Sequence, residues 1–252
     1  MKDHIPFATA VRTLVLAALA VTTFAAQADW AAGLAARSPE DQVRDAGRKP
    51  AEVLDWLGIG PGMTVMDLVA SGGWYTEVLS VAVGPKGLVY AQNPPMIYNF
   101  RDGFYDKAMS ARLADGRLAN VVRLDRDINE TGLQPGTLDA AITALNFHDI
   151  VNNPGGAEAG AGFLATVKAL LKPGGVLGLI DHVGDSDKNN TELHRLDVGA
   201  ALPIIEAAGF EMASSDLLRN PDDDRTAMVF NPAIRGQTDR VLYKLTKPAD
   251  GG

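Results

Sequence analysis

The sequence predicts a single α/β domain with a doubly wound, mostly parallel sheet and helices on both faces. From Pro50 onward, short apolar segments rich in β-branched residues alternate with segments of helical spacing. Repeated alternation of this kind requires right-handed crossovers, which place helices over both faces of a parallel sheet. The chain has 252 residues, of which 46% are hydrophobic and 21% charged, so its composition is that of a globular protein.

Residues 1–28 are predicted to be a secretion signal. Basic residues precede an apolar run at 13–21, which is too short to form a permanent membrane span. Ala26 and Ala28 place small residues where a signal peptidase cleaves, directly before Asp29. The expected product is an exported protein, in the bacterial periplasm, with no stable membrane anchor after cleavage. An uncleaved anchor is the alternative.

Five segments are predicted to be buried strands, because each is short, mostly apolar and often β-branched. These strands are residues 64–69, 88–91, 121–124, 138–144 and 176–180. Helices are predicted between them wherever the apolar spacing is helical and Pro or Gly marks an end. These helices cover residues 51–57, 74–83 and 161–171. The glycine-rich residues 155–162 are expected to be a loop that opens the third helix.

The last part of the chain breaks this alternation. Two strands without a helix between them usually pair antiparallel, so a terminal antiparallel strand is expected. The segments are a helix at 203–208, a strand at 210–217, a solvated acidic loop at 222–224 and a final strand at 240–245. Residues 29–49 are polar and are predicted to form an N-terminal arm on the domain, which itself covers residues 50–252.

Composition excludes several kinds of function. The chain has no cysteine, so disulfides, thiolate metal sites and cysteine nucleophiles are excluded. It has 23 basic and 31 acidic residues, a formal net charge of −8. Binding to nucleic acid needs a basic surface, so no nucleic-acid partner is expected.

The turn after the first strand is the expected ligand site, because open parallel sheets bind ligands beyond the carboxyl ends of their strands. This turn, residues 67–76, contains Gly72 and Gly73. The sequence has no G-x-G-x-x-G fingerprint, no phosphate-binding loop and no G-x-S-x-G motif. The sequence therefore lacks the main motifs that would support a dinucleotide-binding protein, a nucleoside-triphosphate-binding protein or an α/β-hydrolase.

An acidic residue in the first strand, followed by a glycine turn into a helix, resembles the class I S-adenosylmethionine-dependent methyltransferases. More narrowly, the chain resembles a group of these proteins that carry secretion signals. The resemblance covers about residues 50–248 and rests on segments 60–67 with 72–73, 84–91, 170–175 and 207–210. It implies a Rossmann-like seven-stranded sheet with an antiparallel last strand, S-adenosyl-L-methionine as cofactor, and methyl transfer to an unidentified small-molecule acceptor.

The resemblance also implies where the cofactor would lie. Gly72 and Gly73 would let the backbone approach its methionine part, and Asp67 would organise the loop. Asn93 occupies the position of the usual acidic ribose ligand, and Asp127 matches the position near the adenine amino group. The implied cofactor-binding residues are Asp67, Ala70, Ser71, Gly72, Gly73, Asn93, Asp127 and Asn146.

Two positions depart from the family pattern. Family members generally have glycine two and four residues after the strand Asp, where this chain has Val69 and Ser71. A β-branched side chain restricts close approach and disfavours positive φ. This departure keeps open a second interpretation, an exported non-enzymatic ligand-binding protein on a methyltransferase-like scaffold.

Three histidines, His148, His182 and His194, are predicted to lie at one rim of the sheet. The fourth and fifth strands are expected to be neighbours, so the residues that follow them leave the sheet side by side. Histidines beside Asp149 and Asp181 suit hydrogen bonding of loops, proton transfer at an acceptor, or metal binding in a hydrolase or lyase. All three uses remain open from the sequence.

For the methyltransferase interpretation, His148, His182 and Tyr75 are predicted to be the catalytic residues near the acceptor, and no metal ligand is assigned. Tyr75 and its neighbour Trp74 begin the helix after the glycine turn. Either aromatic ring suits a wall of the cofactor pocket, because an aromatic face stabilises a sulfonium cation. Packing of the helix against the sheet is the alternative for both.

Overall fold

The computed structural model describes residues 30–249, so the predicted signal at 1–28 lies outside the described residues. Eight strands form one sheet, and their order is β3-β2-β1-β4-β5-β8-β7, with the two-residue strand β6 beside β5. The strands are β1 Thr64–Leu68, β2 Leu88–Gln92, β3 Val121–Leu124, β4 Leu138–Ala144, β5 Leu171–Gly184, β6 Leu196–Asp197, β7 Glu211–Ser214 and β8 Arg240–Thr246.

The sheet confirms the predicted doubly wound, mostly parallel architecture. Neighbours from β3 to β5 pair in parallel, whereas β8 is antiparallel to both β5 and β7. Seven strands lie on the main path, and β6 is an additional short pairing with the end of β5. Strand order reverses between β1 and β4, so a crevice is expected beyond the carboxyl ends of these two strands.

The helices cover both faces of the sheet. They are α1 Pro39–Gln42, α2 Asp45–Arg48, α3 Pro50–Leu57, α4 Trp74–Val83, α5 Pro95–Asn99, α6 Phe104–Leu113, α7 Phe147–Val151, α8 Gly156–Leu170, α9 Asn190–Leu193 and α10 Val198–Ala207. Residues 30–35 are also helical, and short 3-10 turns occur at Ala114–Gly116 and Ile128–Glu130. Helix α4 has the predicted bounds, and Gly58 ends α3 with φ of 79°.

The expected loop at 155–162 is wrong, because the helix begins at Gly156. Its glycines allow close packing on α7: a Cβ at Gly156 would lie 2.0 Å from the carbonyl oxygen of Val151. A Cβ at Gly160 would lie 2.7 Å from Cγ1 of the same valine. The small residues therefore allow α8 to pack closely on α7 at this position.

Alternation along β1 shows how the two faces differ. Val65 packs in the core under α3 and α4, whereas Met66 and Leu68 pack in the core under α8 and α10. Because successive side chains point to opposite faces, Asp67 shares the α4 face with Val65. The structure thereby directs the one carboxyl group of β1 toward the start of α4.

The segment 30–49 packs on the domain beside the glycine turn. The indole Nε1 of Trp74 donates to the carbonyl oxygen of Asp41 at 3.0 Å. The Asp41 carboxylate pairs with Arg112, which also binds Glu77. No helix within residues 30–249 combines the length and apolar character needed to cross a bilayer.

The acidic loop at 222–224 is not fully solvated, which corrects the expectation. The Asp223 carboxylate is completely buried and pairs with Arg195, which is completely buried as well. The Arg195 guanidinium also donates to the carbonyl oxygens of Val183, Asp224 and Ala227. These contacts of the Arg195 guanidinium therefore hold the loop against the end of β5.

Candidate functional site

The turn after β1 adopts the backbone shape that glycines would favour, although two of its residues are not glycine. Val69 has φ of 53° and Ser71 has φ of 52°. Left-handed backbone costs an L residue roughly 1–2 kcal/mol, and it is most unusual for a β-branched one. The turn therefore stores backbone strain at the carboxyl end of β1, where such strain often marks a functional site.

Hydrogen bonds donated to the end of β2 hold this strained turn. The amide of Val69 donates to Oε1 of Gln92 at 3.2 Å, and the amide of Ala70 donates to the Gln92 carbonyl oxygen at 2.9 Å. The amide of Ser71 donates to Oδ1 of Asn93 at 2.7 Å. Three consecutive amides thus find acceptors on two neighbouring residues of one strand end.

Asn93, the predicted ribose ligand, is fully buried in the structure. Its Nδ2 donates to the Ser71 carbonyl oxygen at 3.2 Å and to the Tyr98 hydroxyl at 2.9 Å. Both polar atoms of the amide are therefore engaged by protein groups. In this structure the Asn93 side chain therefore orders the turn.

Gly72 and Gly73 make room for helix α6. A Cβ on Gly72 would lie 3.2 Å from Cβ of Ala108, and one on Gly73 would lie 3.0 Å from Cε of Met109. Nε of Arg112 donates to the Gly72 carbonyl oxygen at 2.8 Å. The absence of side chains at these two glycines therefore lets the turn pack closely against α6.

Asp67 is buried beneath the turn. Its carboxylate accepts from Oγ1 of Thr76 at 2.6 Å, which ties β1 to the first turn of α4. Burial raises the pKa of this carboxyl to about 7, although the Thr76 hydrogen bond lowers it. Asp67 thus organises the loop, and it changes charge near neutral pH.

We expect Asp67→Asn to remove a pH-dependent part of the free energy of unfolding. The unfolded chain loses this proton near pH 4, whereas the folded chain holds it to about pH 7. The unfolded state therefore binds fewer protons in this window, and stability falls as pH rises through it. The wild type should lose about 4 kcal/mol relative to the variant between pH 4 and 8. Urea denaturation across this range measures the difference, with exposed Asp55→Asn as a control that stays parallel to the wild type.

We expect Val69→Gly to stabilise the protein by about 0.5–1 kcal/mol, because relief of left-handed strain exceeds the entropic cost of glycine. Val43 has an ordinary φ of −56° and is 79% exposed, so Val43→Gly should destabilise by about 0.5–1 kcal/mol. Chemical denaturation of both variants tests the comparison. A loss of stability in both would mean that the Val69 side chain stabilises more than its backbone costs.

Two guanidinium groups lie near the start of α4 without carboxylate partners among residues 30–249. Arg48 stacks over the ring of Trp74 at 4.5 Å and over that of Tyr75 at 5.8 Å. Burial, together with the positive charge of Arg240, lowers the pKa of Arg48 to about 10. Arg240 is 2% exposed, and burial lowers its pKa as well. Positive charge without a direct carboxylate partner makes this region suitable for an anionic group.

Asn146 and Asp127 lie at strand ends on the ligand side. Nδ2 of Asn146 donates to the Ala144 carbonyl oxygen at 2.8 Å and to that of Val69 at 3.4 Å, so it joins the end of β4 to the turn after β1. Asp127 is exposed after β3, and its carbonyl oxygen accepts from the amide of Glu130.

His148 and Asp181 form a buried pair at the ends of β4 and β5. The Asp181 carboxylate accepts from the backbone amide of His148 at 2.7 Å and contacts its Nδ1 at 2.8 Å. The same carboxylate accepts from the amide of His182 at 2.8 Å. Burial lowers the pKa of His148, but Asp181 outweighs it and the net shift is upward.

His182 lies beside this pair, with 6.3 Å between its ring centre and that of His148. Its Nδ1 contacts Oγ1 of Thr238 at 2.7 Å. Burial, followed by the charge of Arg240, lowers the pKa of His182 well below 6.5, so the ring is neutral. His182, one of the three predicted histidines, therefore lies beside His148, and its ring is directed toward β8.

Tyr75 is in the core and not at the rim, which corrects its assignment near the acceptor. It is 5% exposed and meets Trp74 edge to face, with ring centres 4.7 Å apart. Burial raises its pKa to about 12, so it does not exchange protons near neutral pH. For both aromatic residues the structure favours the packing alternative.

His194 completes the histidine rim from the end of α9. Its φ is 53°, and its ring lies 5.8 Å from that of His148 and 5.1 Å from that of Phe230. Its Nδ1 is 3.5 Å from Oδ1 of Asp149. The structure therefore brings all three predicted histidines to one edge of the sheet.

Comparison with known proteins identifies the architecture. No family profile matches the chain. The ribosomal RNA large subunit methyltransferase E of Alkalilimnicola ehrlichii is 32% identical over 111 residues, which covers 39% of this chain and 53% of that protein. The chain thus matches about half the length of this curated relative.

Solved structures align with a larger share of this chain. A SAM-dependent methyltransferase from Aquifex aeolicus aligns with a TM-score of 0.57 and 23% identity, covering 79% of this chain and 89% of that one. The chain has the class I methyltransferase fold. A SAM-dependent O-methyltransferase from Thermotoga maritima aligns with a TM-score of 0.50 and 18% identity, covering 80% and 65%.

Within this methyltransferase fold, three site residues were missed by sequence reasoning. Gln92 and Tyr98 hold the turn through Val69 and Asn93, and Arg48 brings a positive charge to α4. Gln92 directly precedes Asn93, so its place at the strand end was a usable signal. Arg48 and Tyr98 lie outside any motif, and only the packing of their helices brings them to the site.

Proposed function

We propose that this protein transfers the methyl group of S-adenosyl-L-methionine to a small-molecule acceptor. The observation that carries the proposal is the turn after β1, which keeps left-handed backbone at Val69 and Ser71 where methyltransferases generally have glycine. This turn lies at the point where strand order reverses, which is where open α/β sheets bind ligands. A methyltransferase similar in sequence and two similar in structure support the proposal.

The cofactor's sulfonium group supplies an activated methyl group, and the chain's own residues bind and orient it. The donor set fits the cofactor's charged end, because the Arg48 guanidinium has no ion-pair partner among the described residues and lies near α4 and the Arg240 charge. A guanidinium matches a carboxylate in shape and charge. We therefore assign the methionine carboxylate to Arg48, with Arg240 adding positive potential.

Calorimetric titration of the purified chain with S-adenosylmethionine and S-adenosylhomocysteine tests the proposal. One site per chain is expected. No binding of either compound up to millimolar concentration would contradict it, and would leave the non-enzymatic scaffold interpretation as the better one.

We expect Arg48→Met to weaken S-adenosylhomocysteine binding by about tenfold or more, the equivalent of one charge-assisted hydrogen bond. Methylthioadenosine lacks the amino-acid carboxylate, so its affinity should stay the same. The exposed Arg44 on the same segment gives the matched control, Arg44→Met, with both affinities unchanged. Equal losses for both ligands in Arg48→Met would show that Arg48 acts through the fold.

The acceptor is proposed to be a small molecule and not RNA. The curated relative is named for ribosomal RNA, but this chain carries a net charge of −8. Phosphate contacts need basic surface, and their number sets the salt dependence of binding. The test is whether labelled methyl groups from the cofactor enter a small-molecule extract or purified ribosomal RNA, and incorporation into RNA alone would overturn this part.

Export to the periplasm is also part of the proposal, and its support is the basic start, apolar run and small-residue cleavage pattern of residues 1–28. Cell fractionation followed by N-terminal sequencing tests it. The expected result is a periplasmic protein that begins at Asp29. A cytoplasmic protein that retains residues 1–28 would contradict it.

A further inference from the structure

Three side chains that commonly bind metals converge at the histidine rim. They are His148, Asp149 and His194, and their ligand atoms all lie within 4.8 Å of one another. Nε2 of His148 is 3.3 Å from Oδ1 of Asp149, and Nδ1 of His194 is 3.5 Å from the same oxygen. We propose that these three residues bind a divalent transition-metal ion of the zinc type.

The spacing of the ligand atoms suits such an ion. Zinc binds His nitrogen and carboxylate oxygen at about 2.0–2.2 Å, so two ligand atoms at a tetrahedral angle lie about 3.3–3.6 Å apart. Both distances to the Asp149 oxygen are within this range. His194 is 38% exposed and Asp149 is 61% exposed, so both side chains can rotate to complete the geometry.

Asp181 supplies the outer support that metal-binding histidines need. Its carboxylate contacts Nδ1 of His148 at 2.8 Å and also accepts from the backbone amide of that residue. A proton held on Nδ1 leaves the lone pair of Nε2 directed at Asp149. Carboxylates that hold a ligating histidine in this way fix its tautomer and ring orientation. The Asp181 carboxylate is completely buried in this arrangement. Its burial costs desolvation free energy that a hydrogen bond at the surface would not require.

His194 is held in place by an uncommon backbone conformation. Its φ of 53° lies in the left-handed region at the end of α9, where Gly or Asn would be less strained. The ring of Phe230 stands 5.1 Å away and walls one side. The backbone conformation and Phe230 thereby place the imidazole beside Asp149 at the mouth of the site.

His182 is not part of this set, which changes the composition of the metal site considered from the sequence. Its Nδ1 is bound to Thr238, and its ring is turned toward β8. Asp149, which the sequence already placed beside the histidines, is the third ligand. The resulting set is two imidazoles and one carboxylate, a combination that suits Zn²⁺ or Fe²⁺ and leaves coordination positions open.

An open position gives the ion a use in the reaction, and this step rests on the proposed methyl transfer. A hydroxyl or thiol of the acceptor would bind there and lose its proton to solvent more readily, because a bound cation stabilises the anion. The resulting anion is the better nucleophile toward a methyl group. The substrate class that follows is a small acceptor with a hydroxyl or thiol group that can bind a metal.

Titration with ZnCl₂, followed by calorimetry, tests the metal site without any methyl acceptor. The full mature chain is used without a histidine tag, and a Co²⁺-loaded sample is examined for the visible absorption of a tetrahedral site. Wild type should bind one ion. Asp149→Asn and His194→Gly should each bind at least tenfold more weakly, and glycine at position 194 suits the left-handed backbone. Asp222→Asn, which removes an exposed carboxylate elsewhere, should bind as wild type.

Absence of stoichiometric binding, or equal affinity in wild type, Asp149→Asn and His194→Gly, would overturn the metal site. Weakening by Asp222→Asn to the same extent would also overturn it, since the ion would then be held by general acidic charge. Binding of S-adenosylhomocysteine is measured on the same samples. If the wild type binds S-adenosylhomocysteine but no metal ion, this inference alone is refuted, whereas absence of S-adenosylhomocysteine binding by the wild type refutes the proposed function.

Discussion

Replacement of Asp181 by Asn is expected to destabilise the protein by about 3–5 kcal/mol near pH 6. The Asp181 carboxylate is completely buried, and it accepts from two backbone amides as well as contacting Nδ1 of His148. An amide group can accept at one atom only, so at least one buried donor loses its acceptor. Breaking a buried charged pair by changing one partner typically costs this amount, because the other partner loses the group that stabilised its charged form. Urea denaturation gives the difference.

The same substitution should lower the pKa of His148 in the metal-free protein. Burial favours the neutral ring, and Asp181 is the group that raises this pKa above 6.5. A histidine with a raised pKa adds stability below pH 6.5, and this stability is lost as pH rises through the folded-state value. Imidazole resonances followed by NMR should titrate above 6.5 in the wild type and below 6.5 in Asp181→Asn.

Asp187→Asn is the matched control for Asp181. Asp187 is 74% exposed and pairs only with its neighbour Lys188. Its replacement should change stability by less than about 0.5 kcal/mol and leave the His148 titration unchanged. A small stability loss in Asp181→Asn, together with an unshifted His148, would show that the pair does not organise this site.

The sequence predicted most of the sheet because buried parallel strands are continuous apolar runs with clear ends. Residues 64–69 were predicted and Thr64–Leu68 is observed, and residues 138–144 match β4 at both ends. Helix α4 is bounded by Gly73 and Gly84, and both glycines are visible in the sequence. The fold could therefore be predicted from the order of the elements and from the turn residues, because both depend on residues that are neighbours in the sequence.

Side-chain directions at the site could not be predicted in the same way. The His182 ring is turned by Thr238, which lies 56 residues away, and His148 is held by Asp181, 33 residues away. Asn93 turns inward because Ser71 and Tyr98 occupy both of its polar atoms. Such contacts depend on which distant groups meet, and no local pattern encodes them.

The resemblance to the class I methyltransferases nevertheless indicated the position of the strained turn. Glycine at positions 69 and 71 would suit a left-handed backbone, and the structure gives Val69 and Ser71 this conformation. The backbone shape is therefore retained although the residues have changed. Hydrogen bonds that the amides of Val69 and Ser71 donate to Gln92 and Asn93 stabilise this backbone in place of the conformational freedom of glycine.

Arg195→Met is expected to destabilise the protein by about 3–5 kcal/mol, the usual cost of leaving one member of a buried ion pair without its partner. Arg195 is 0% exposed, and its Nη1 donates to Oδ2 of Asp223 at 2.7 Å. The same guanidinium satisfies three backbone carbonyl oxygens, so these acceptors also lose their donors. Urea denaturation measures the loss, and the exposed Arg235→Met is the control, with a change below about 0.5 kcal/mol.

The double variant Arg195→Met with Asp223→Leu separates the charge pair from the carbonyl contacts. With both charges removed, no uncompensated ion remains, so the double variant should lose less than the sum of the two single losses by about 1–3 kcal/mol. It should still be less stable than wild type, because the carbonyl oxygens of Val183 and Ala227 and the amide of Asp239 remain without their partners. Strict additivity would instead mean that the two charges act independently. In that case the loop is fastened to β5 by the backbone contacts of Arg195 alone.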